Sequence, residues 1–411
     1  MTSAQLAVSA ALRHKCRHTD RVKITDAQRR HRLVTQHFAR ASTADEVVSS
    51  LLALHATDPA TVYLSVLARA RSLGLSDVRD AMYERRSLVR LMAMRRTMFV
   101  VAHDDVPMIH AAASLAVART MRARLVKQVS TLPTEPVIDD VESWLSATEE
   151  ETETVLRAMG TATGAELSAA VPGLKTALLP TTDKSYDVKR YVTSEVLVML
   201  AAEGKLVRVE PRGTWTSRRH AWAPIDHWWP DGIPDLDENE ARADLALRWL
   251  EVFGPATLDD LQWWTGWNKT QTRVAVSGLD TVGVELTEGD GIMLTGTTFD
   301  KPAGTSVMLL PALDPTPMGW KRRAWYLGDY KAPLFDAFGN IGPTIWSGGR
   351  IVGGWAVSGS GEVATTLLED VGSTVAKAVA SEAGRITTLL DGTAVIPSFP
   401  TPLEKTLRGQ K

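Results

Sequence analysis

Three polar residues within four positions, His55, Thr57 and Asp58 of the segment LLALHATDPATVY, form the most reactive-looking grouping in the sequence. A histidine beside a carboxylate can hold a water molecule and take a proton from it. On a helix, His55 and Asp58 at i, i+3 would share a face. Pro59 disfavours helical geometry at Asp58, however. The segment therefore reads as one helix ending and another starting, with polar side chains projecting from the junction. A second reading stands beside it. Asp58 before Pro59 is a good helix N-cap, Thr57 would cap nearly as well, and His55 could satisfy a local backbone group.

Basic residues form the other set. Arg95-Arg96, Arg122 with Arg124, Arg218-Arg219 and Lys321-Arg322-Arg323 are four clusters in a chain whose net charge is only −2. Global charge does not announce a nucleic-acid binder, but local clusters can build a phosphate-binding stripe. Arg218-Arg219 lies between Trp215 and Trp222, so it mixes cations with rings. The alternative for each cluster is a solvated surface, and for the tryptophans a place in the core.

Several chemistries are excluded. The single cysteine, Cys16, rules out an internal disulfide and multi-cysteine metal sites, and it suits a reducing cytosol. The nine histidines show no ligand spacing, and GxGxxG, GxxxxGK[ST] and HExxH are absent, so neither a metal site nor a cofactor is expected. No apolar run spans a bilayer. The basic residues of the N-terminus follow its apolar stretch, whereas a secretory signal puts them first. A cytoplasmic, nucleoid-associated location is expected.

The elements that must position these residues read as mainly α with β-hairpin wings, an α+β class. With 411 residues, 44% hydrophobic and 23% charged, the chain can bury several cores. Residues 1–22 read as a loosely ordered extension. Residues 23–150 read as a first winged-helix unit with a helical extension. Its hairpin is LVRLMAMRRTMFVVAHDD, turning at Arg95-Arg96. Residues 151–236 and 237–302 repeat the helix-helix-helix-hairpin order, with turns at Pro211-Arg212-Gly213 and Glu288-Gly289-Asp290-Gly291. Residues 303–411 read as a smaller β-rich domain with one helix over STVAKAVASEAGRITTLL. The Pro-rich tail after Ile396 is expected to run over the surface.

The blocks LLALHATDPATVYLSVLARA, LVRLMAMRRTMFVVAHDD and LLPALDPTPMGW…GGRIVGGWAV, with the repeated hairpins, resemble the winged-helix DNA-binding-domain family that contains the AlkZ-like bacterial DNA glycosylases. The resemblance covers roughly residues 25–400. It implies a curved, DNA-cradling body and hydrolysis of the N-glycosidic bond of N7-alkylated or crosslinked purines. The partner implied is double-stranded DNA, bound by a monomer without a cofactor. The family's catalytic Gln–apolar–Gln or Gln–apolar–Asp falls at His55-Ala56-Thr57, so both polar positions depart from it. Catalytic work then rests on His55, Thr57 and Asp58, and phosphate contacts on Arg95, Arg96, Arg122, Arg124, Arg218, Arg219, Lys321, Arg322 and Arg323. The departure keeps open a second function, a non-catalytic winged-helix protein that binds DNA for regulation or damage sensing.

Overall fold

The computed structural model describes residues 21–409 apart from 186, 303, 305 and 398. The extension expected over residues 1–22 lies outside the described residues except at its end. There Val22–Lys23 is a strand, pairing parallel with Thr281–Leu286.

The chain is mixed α and β, with helices surrounding small sheets. The hairpin read at residues 88–102 is present. Leu88–Ala93 pairs antiparallel with Thr97–Ala102 around a turn at Met94–Arg96. Its two near-continuous apolar runs leave both strands largely buried. A short third strand, Leu54–His55, adds to its edge and places His55 opposite Phe99. The helix before it, Ala44–Leu51, starts on a Thr43–Glu46 capping box. The next helix, Pro59–Arg69, starts on Asp58.

Leu206–Val209 pairs with Ala221–Pro224, and Thr281–Leu286 with Gly289–Leu294. The second of these turns earlier than expected. Glu288 is in the turn, but Gly289, Asp290 and Gly291 already belong to the return strand. Trp222 and Trp229 are core residues, while Trp215 and Trp228 are half-buried.

A four-stranded antiparallel sheet follows, in the order Val307–Leu310, Thr344–Ser347, Arg350–Val357, Val363–Leu367. The helix Gly372–Leu390 lays Val379, Ala383, Ile386 and Leu390 on Leu309, Ile345, Val352, Trp355 and Val357. That spacing is one helical face. The tail differs from the expectation of a surface run. It forms the helix Pro402–Leu407, whose Thr401 and Glu404 are buried. A Thr401–Glu404 capping box and the close approach of Gly342 explain why it docks.

Every residue of the helix Pro59–Arg69 is buried. Its polar residues Thr61, Ser65 and Arg69 recur at i, i+4, i+8, so they form one stripe. That stripe meets the segment after the strand Val307–Leu310. Thr61 Oγ1 donates to the Ala312 carbonyl at 3.1 Å, and Ser65 Oγ to Asp314 Oδ2 at 2.8 Å. Arg69 makes a two-pronged contact with Asp314 at 2.7 and 2.8 Å, and also donates to Thr316 and to the His37 carbonyl. Burial would raise the Asp314 carboxyl, but Arg69, then Thr316 and Ser65, outweigh it and hold the group below the usual range. The early helices are thereby fastened to the C-terminal sheet.

Candidate active site

The junction before that helix opens into a cleft of about 390 Å³. His55, Thr57 and Asp58 line one wall, with Arg95 and Thr97 from the hairpin beside them. Leu313, Asp336, Asn340, Thr401 and Glu404 line the opposite wall. The three residues singled out by spacing therefore face a common space, whose opposite-wall residues lie roughly 260 to 350 positions away in sequence.

Each has its own environment. Asp58 caps the helix, its Oδ1 accepting from the Ala60 amide at 3.0 Å. Its Oδ2 faces the Arg218 guanidinium at 3.4 Å, and the side chain keeps 23% of its exposure. Capping and a place in the cleft thus coexist in one carboxylate. Thr57 is exposed. His55 is buried, its ring 4.6 Å from that of Phe99, and its two nitrogens find no partner among the described residues. Those nitrogens are shielded from bulk solvent although the residue lines the cleft. Burial first, then the neighbouring Arg95, push the His55 pKa down to about 3 against an upward pull from Asp314. The ring is therefore neutral at physiological pH, with one donor and one acceptor unused. Leaving each unsatisfied costs roughly 1–3 kcal/mol, a strain that the Arg69–Asp314 knot avoids.

The backbone of Ala56 between these residues is also held. Arg90, buried in the hairpin, donates to its carbonyl at 2.7 Å. Glu404, on the far wall, has its carboxyl pushed up by burial against its bond from the Thr401 amide.

The expected phosphate ligands separate into distinct groups. Arg95 and Arg96 both take positive φ, 55° and 58°, at the hairpin turn. Arg95 is half-buried. It rests on the face of Trp263 at 4.2 Å and against Gly266, where a Cβ would sit 3.1 Å from its Cγ. Arg323 approaches the same indole at 5.0 Å. Burial, then Arg323, bring the Arg95 pKa down to about 10, so it stays charged. Arg96 and Arg124 are exposed and line two adjoining hollows beside the helix Leu115–Thr131. Neither has an ion pair among the described residues. Arg122 is different: Glu149 and Glu203 hold it at 2.5 and 2.8 Å. Arg218 donates to the Ile396 carbonyl at 2.7 Å besides meeting Asp58. Arg219 and Lys321 are exposed, and Arg322 faces Asp259 at 3.5 Å. Arg95 thus lines the cleft, Arg218 stands beside it on Asp58, and Arg96 and Arg124 belong to a neighbouring surface.

Sequence reasoning missed the far wall. Asp336, Asn340 and Glu404 carry no local pattern that points to His55. Only the tail's Thr401-Pro402-Leu403-Glu404 helix start was there to be read.

The model of the DNA glycosylase AlkZ-like family matches residues 48–389. No curated protein matches the sequence. Among solved structures, the fold is similar to the Streptomyces sahachiroi DNA glycosylase AlkZ, with a TM-score of 0.63 at 18% identity. That match covers 91% of this chain and 99% of the other.

Proposed function

Because the chain belongs to the AlkZ-like DNA glycosylase family, we propose that it hydrolyses the N-glycosidic bond of N7-alkylated or crosslinked purines in duplex DNA. The observation that carries this reading is the buried, neutral His55 with two unused ring nitrogens, set beside Asp58 on a cleft. A buried polar atom without a partner, on a cleft wall, is a place where a bound group can supply the missing bond.

In this reading the purine enters the cleft after leaving the base stack. The C1′–N9 bond breaks and its electron pair goes to the purine. That neutralises the positive charge which alkylation at N7 had placed there, so the leaving group needs no acid. Water adds to the oxocarbenium carbon, and its proton passes to Asp58, the solvent-open carboxylate. The Asp58 charge also stabilises the cationic transition state. Thr57 orients the water. His55, too weak a base at a pKa of about 3 to take the proton, serves as a hydrogen-bonding partner once side chains shift around the bound nucleotide. Its position matches the first glutamine of the family motif, and a neutral imidazole, like an amide, both donates and accepts.

The helix and hairpin groups around residues 23–150, 151–236 and 237–302 are read as winged helices, with Arg96, Arg124, Arg219 and Lys321 placed to neutralise phosphates. The protein is read as a monomer acting at the nucleoid.

The test is incubation with a duplex carrying a single N7-methylguanine, followed by alkaline cleavage at abasic sites. Strand breaks at the lesion are expected. Retarded migration of the duplex without breaks would replace this reading with that of a non-catalytic DNA-binding protein.

A further inference from the structure

At the lip of the same cleft stand two phenylalanines from separate segments. Phe338 is 75% exposed and Phe399 59% exposed. Their rings meet edge to face with centroids 5.1 Å apart. Single exposed apolar residues need no explanation, but an exposed aromatic pair on a candidate site does.

The fold takes trouble to present Phe338. It sits at the apex of a short turn between Phe335 and Ile341, which form a bridge. Asp336 Oδ1 accepts from the amides of Phe338 and Asn340, both at 2.8 Å, and Oδ2 accepts from Asn340 Nδ2 at 2.9 Å. Gly339 supplies the positive φ of 84° that closes the turn. Phe399 lines the cleft directly and precedes the Thr401 cap of the docked terminal helix. The segment leading to it is fixed by the Arg218 bond to the Ile396 carbonyl, from the same guanidinium that faces Asp58.

We propose that Phe338 and Phe399 form an aromatic wedge that stacks on the nucleobase left without a neighbour when the target nucleotide is drawn into the cleft. This rests on the reading of the cleft as a base-excision site. Extruding a nucleotide breaks two stacking contacts and opens a gap in the duplex. Apolar side chains inserted between base steps are a known way to hold such a gap. Two rings fit a base because every base presents a π-face, so the contact tolerates any sequence. The half-exposed Arg218 beside the lip suits the phosphates that accompany that base, whereas an apolar protein surface would have to cover it.

The test uses the full chain and a duplex with a tetrahydrofuran abasic-site analogue, which offers a gap but cannot be excised. The same duplex without the analogue is the reference, and affinities are read by fluorescence anisotropy. Wild type is expected to prefer the gapped duplex. The Phe338→Ala/Phe399→Ala double variant should lose about 5- to 150-fold on the gapped duplex, the range of one stacking contact, and little on the intact one. A Phe338→Trp variant should keep the preference. Both side chains are exposed, so melting should not move. A double variant that discriminates like wild type, or that weakens equally on both duplexes, would overturn the wedge. If wild type still excises N7-methylguanine in that case, the excision reading survives alone. If wild type binds neither duplex, both fall.

Discussion

The helix Pro59–Arg69 carries a polar cluster at each end, and the two are built on opposite principles. At its C-terminal end Arg69, Asp314, Ser65, Thr316 and His37 are buried and each is bonded. At its N-terminal end His55 is equally buried, yet both ring nitrogens go unused. Both clusters join the early helices to the segment around residues 312–316 or to the tail. One is therefore a fastening, complete in itself. The other, in the function proposed above, is completed by the nucleotide in the cleft. Burial of a polar group does not by itself distinguish a structural residue from a working one; the two ends differ in that His55 lines a cleft with its nitrogens unbonded, whereas the Arg69–Asp314 cluster is bonded throughout.

The largest expected effect lies at the fastened end. Asp314→Ala leaves the Arg69 guanidinium buried without its carboxylate. It should cost about 3–5 kcal/mol, seen as a lower midpoint in urea denaturation. Replacing the pair together, Arg69→Met with Asp314→Leu, should recover much of that loss, because no orphaned charge remains. A single variant as stable as wild type would remove the distinction between the two ends.

A second effect, smaller for each pH unit, is expected from titration. His55 and His37 have pKa values pushed down to about 3 and about 4, chiefly by burial. Unfolded, each titrates near 6.5, so between those values the unfolded chain binds more protons than the folded one. Stability should then rise with pH across that window, on the order of 1 kcal/mol per unit for each histidine, and level off above about 6.5. Single-turnover excision on saturating DNA should show no acidic limb near pH 6.5. A limb there that disappears in His55→Gln would show that His55 titrates normally and faces solvent.

The mildest effect concerns the cations. Arg96→Ala with Arg124→Ala should flatten the dependence of duplex affinity on salt by up to about two units, one per phosphate contact. Arg122→Ala should leave the slope unchanged, because Glu149 and Glu203 already hold that guanidinium. Equal slopes for all three proteins would take Arg96 and Arg124 out of the interface.

How much of this was legible in the sequence follows from the reach of each interaction. The 88–102 hairpin was legible because its two apolar runs and the basic turn between them are local. The cap at Asp58 was legible because Asp-Pro is a two-residue signal. The short strand Leu54–His55 was not, since its pairing with Val100 and Phe99 overrides the helix end that the local pattern suggests. The stripe of Thr61, Ser65 and Arg69 was there to be read at i, i+4, i+8, but its partner Asp314 lies 245 residues beyond Arg69. Arg122 looked like a phosphate ligand because its acids stand 27 and 81 positions away. The far wall of the cleft, from Asp336 to Glu404, was invisible for the same reason. Composition made the tail after Ile396 look like surface chain, while its Thr401–Glu404 capping box builds a docked helix.

The central claim is that the unsatisfied end of this helix is its working end. It is tested most directly by single-turnover excision from an N7-methylguanine duplex, with thermal melting measured on the same preparations. The proteins compared are wild type, Asp58→Asn and Asp314→Asn. Asparagine caps a helix as well as aspartate, so Asp58→Asn should melt close to wild type while excising roughly 10²-fold more slowly. Asp314→Asn should do the reverse, melting well below wild type while its folded fraction excises within about tenfold of the wild-type rate, a loss of no more than about 1.4 kcal/mol in the barrier. A well-folded Asp58→Asn protein that excises at the wild-type rate would contradict the account, leaving Asp58 a cap and the chemistry elsewhere.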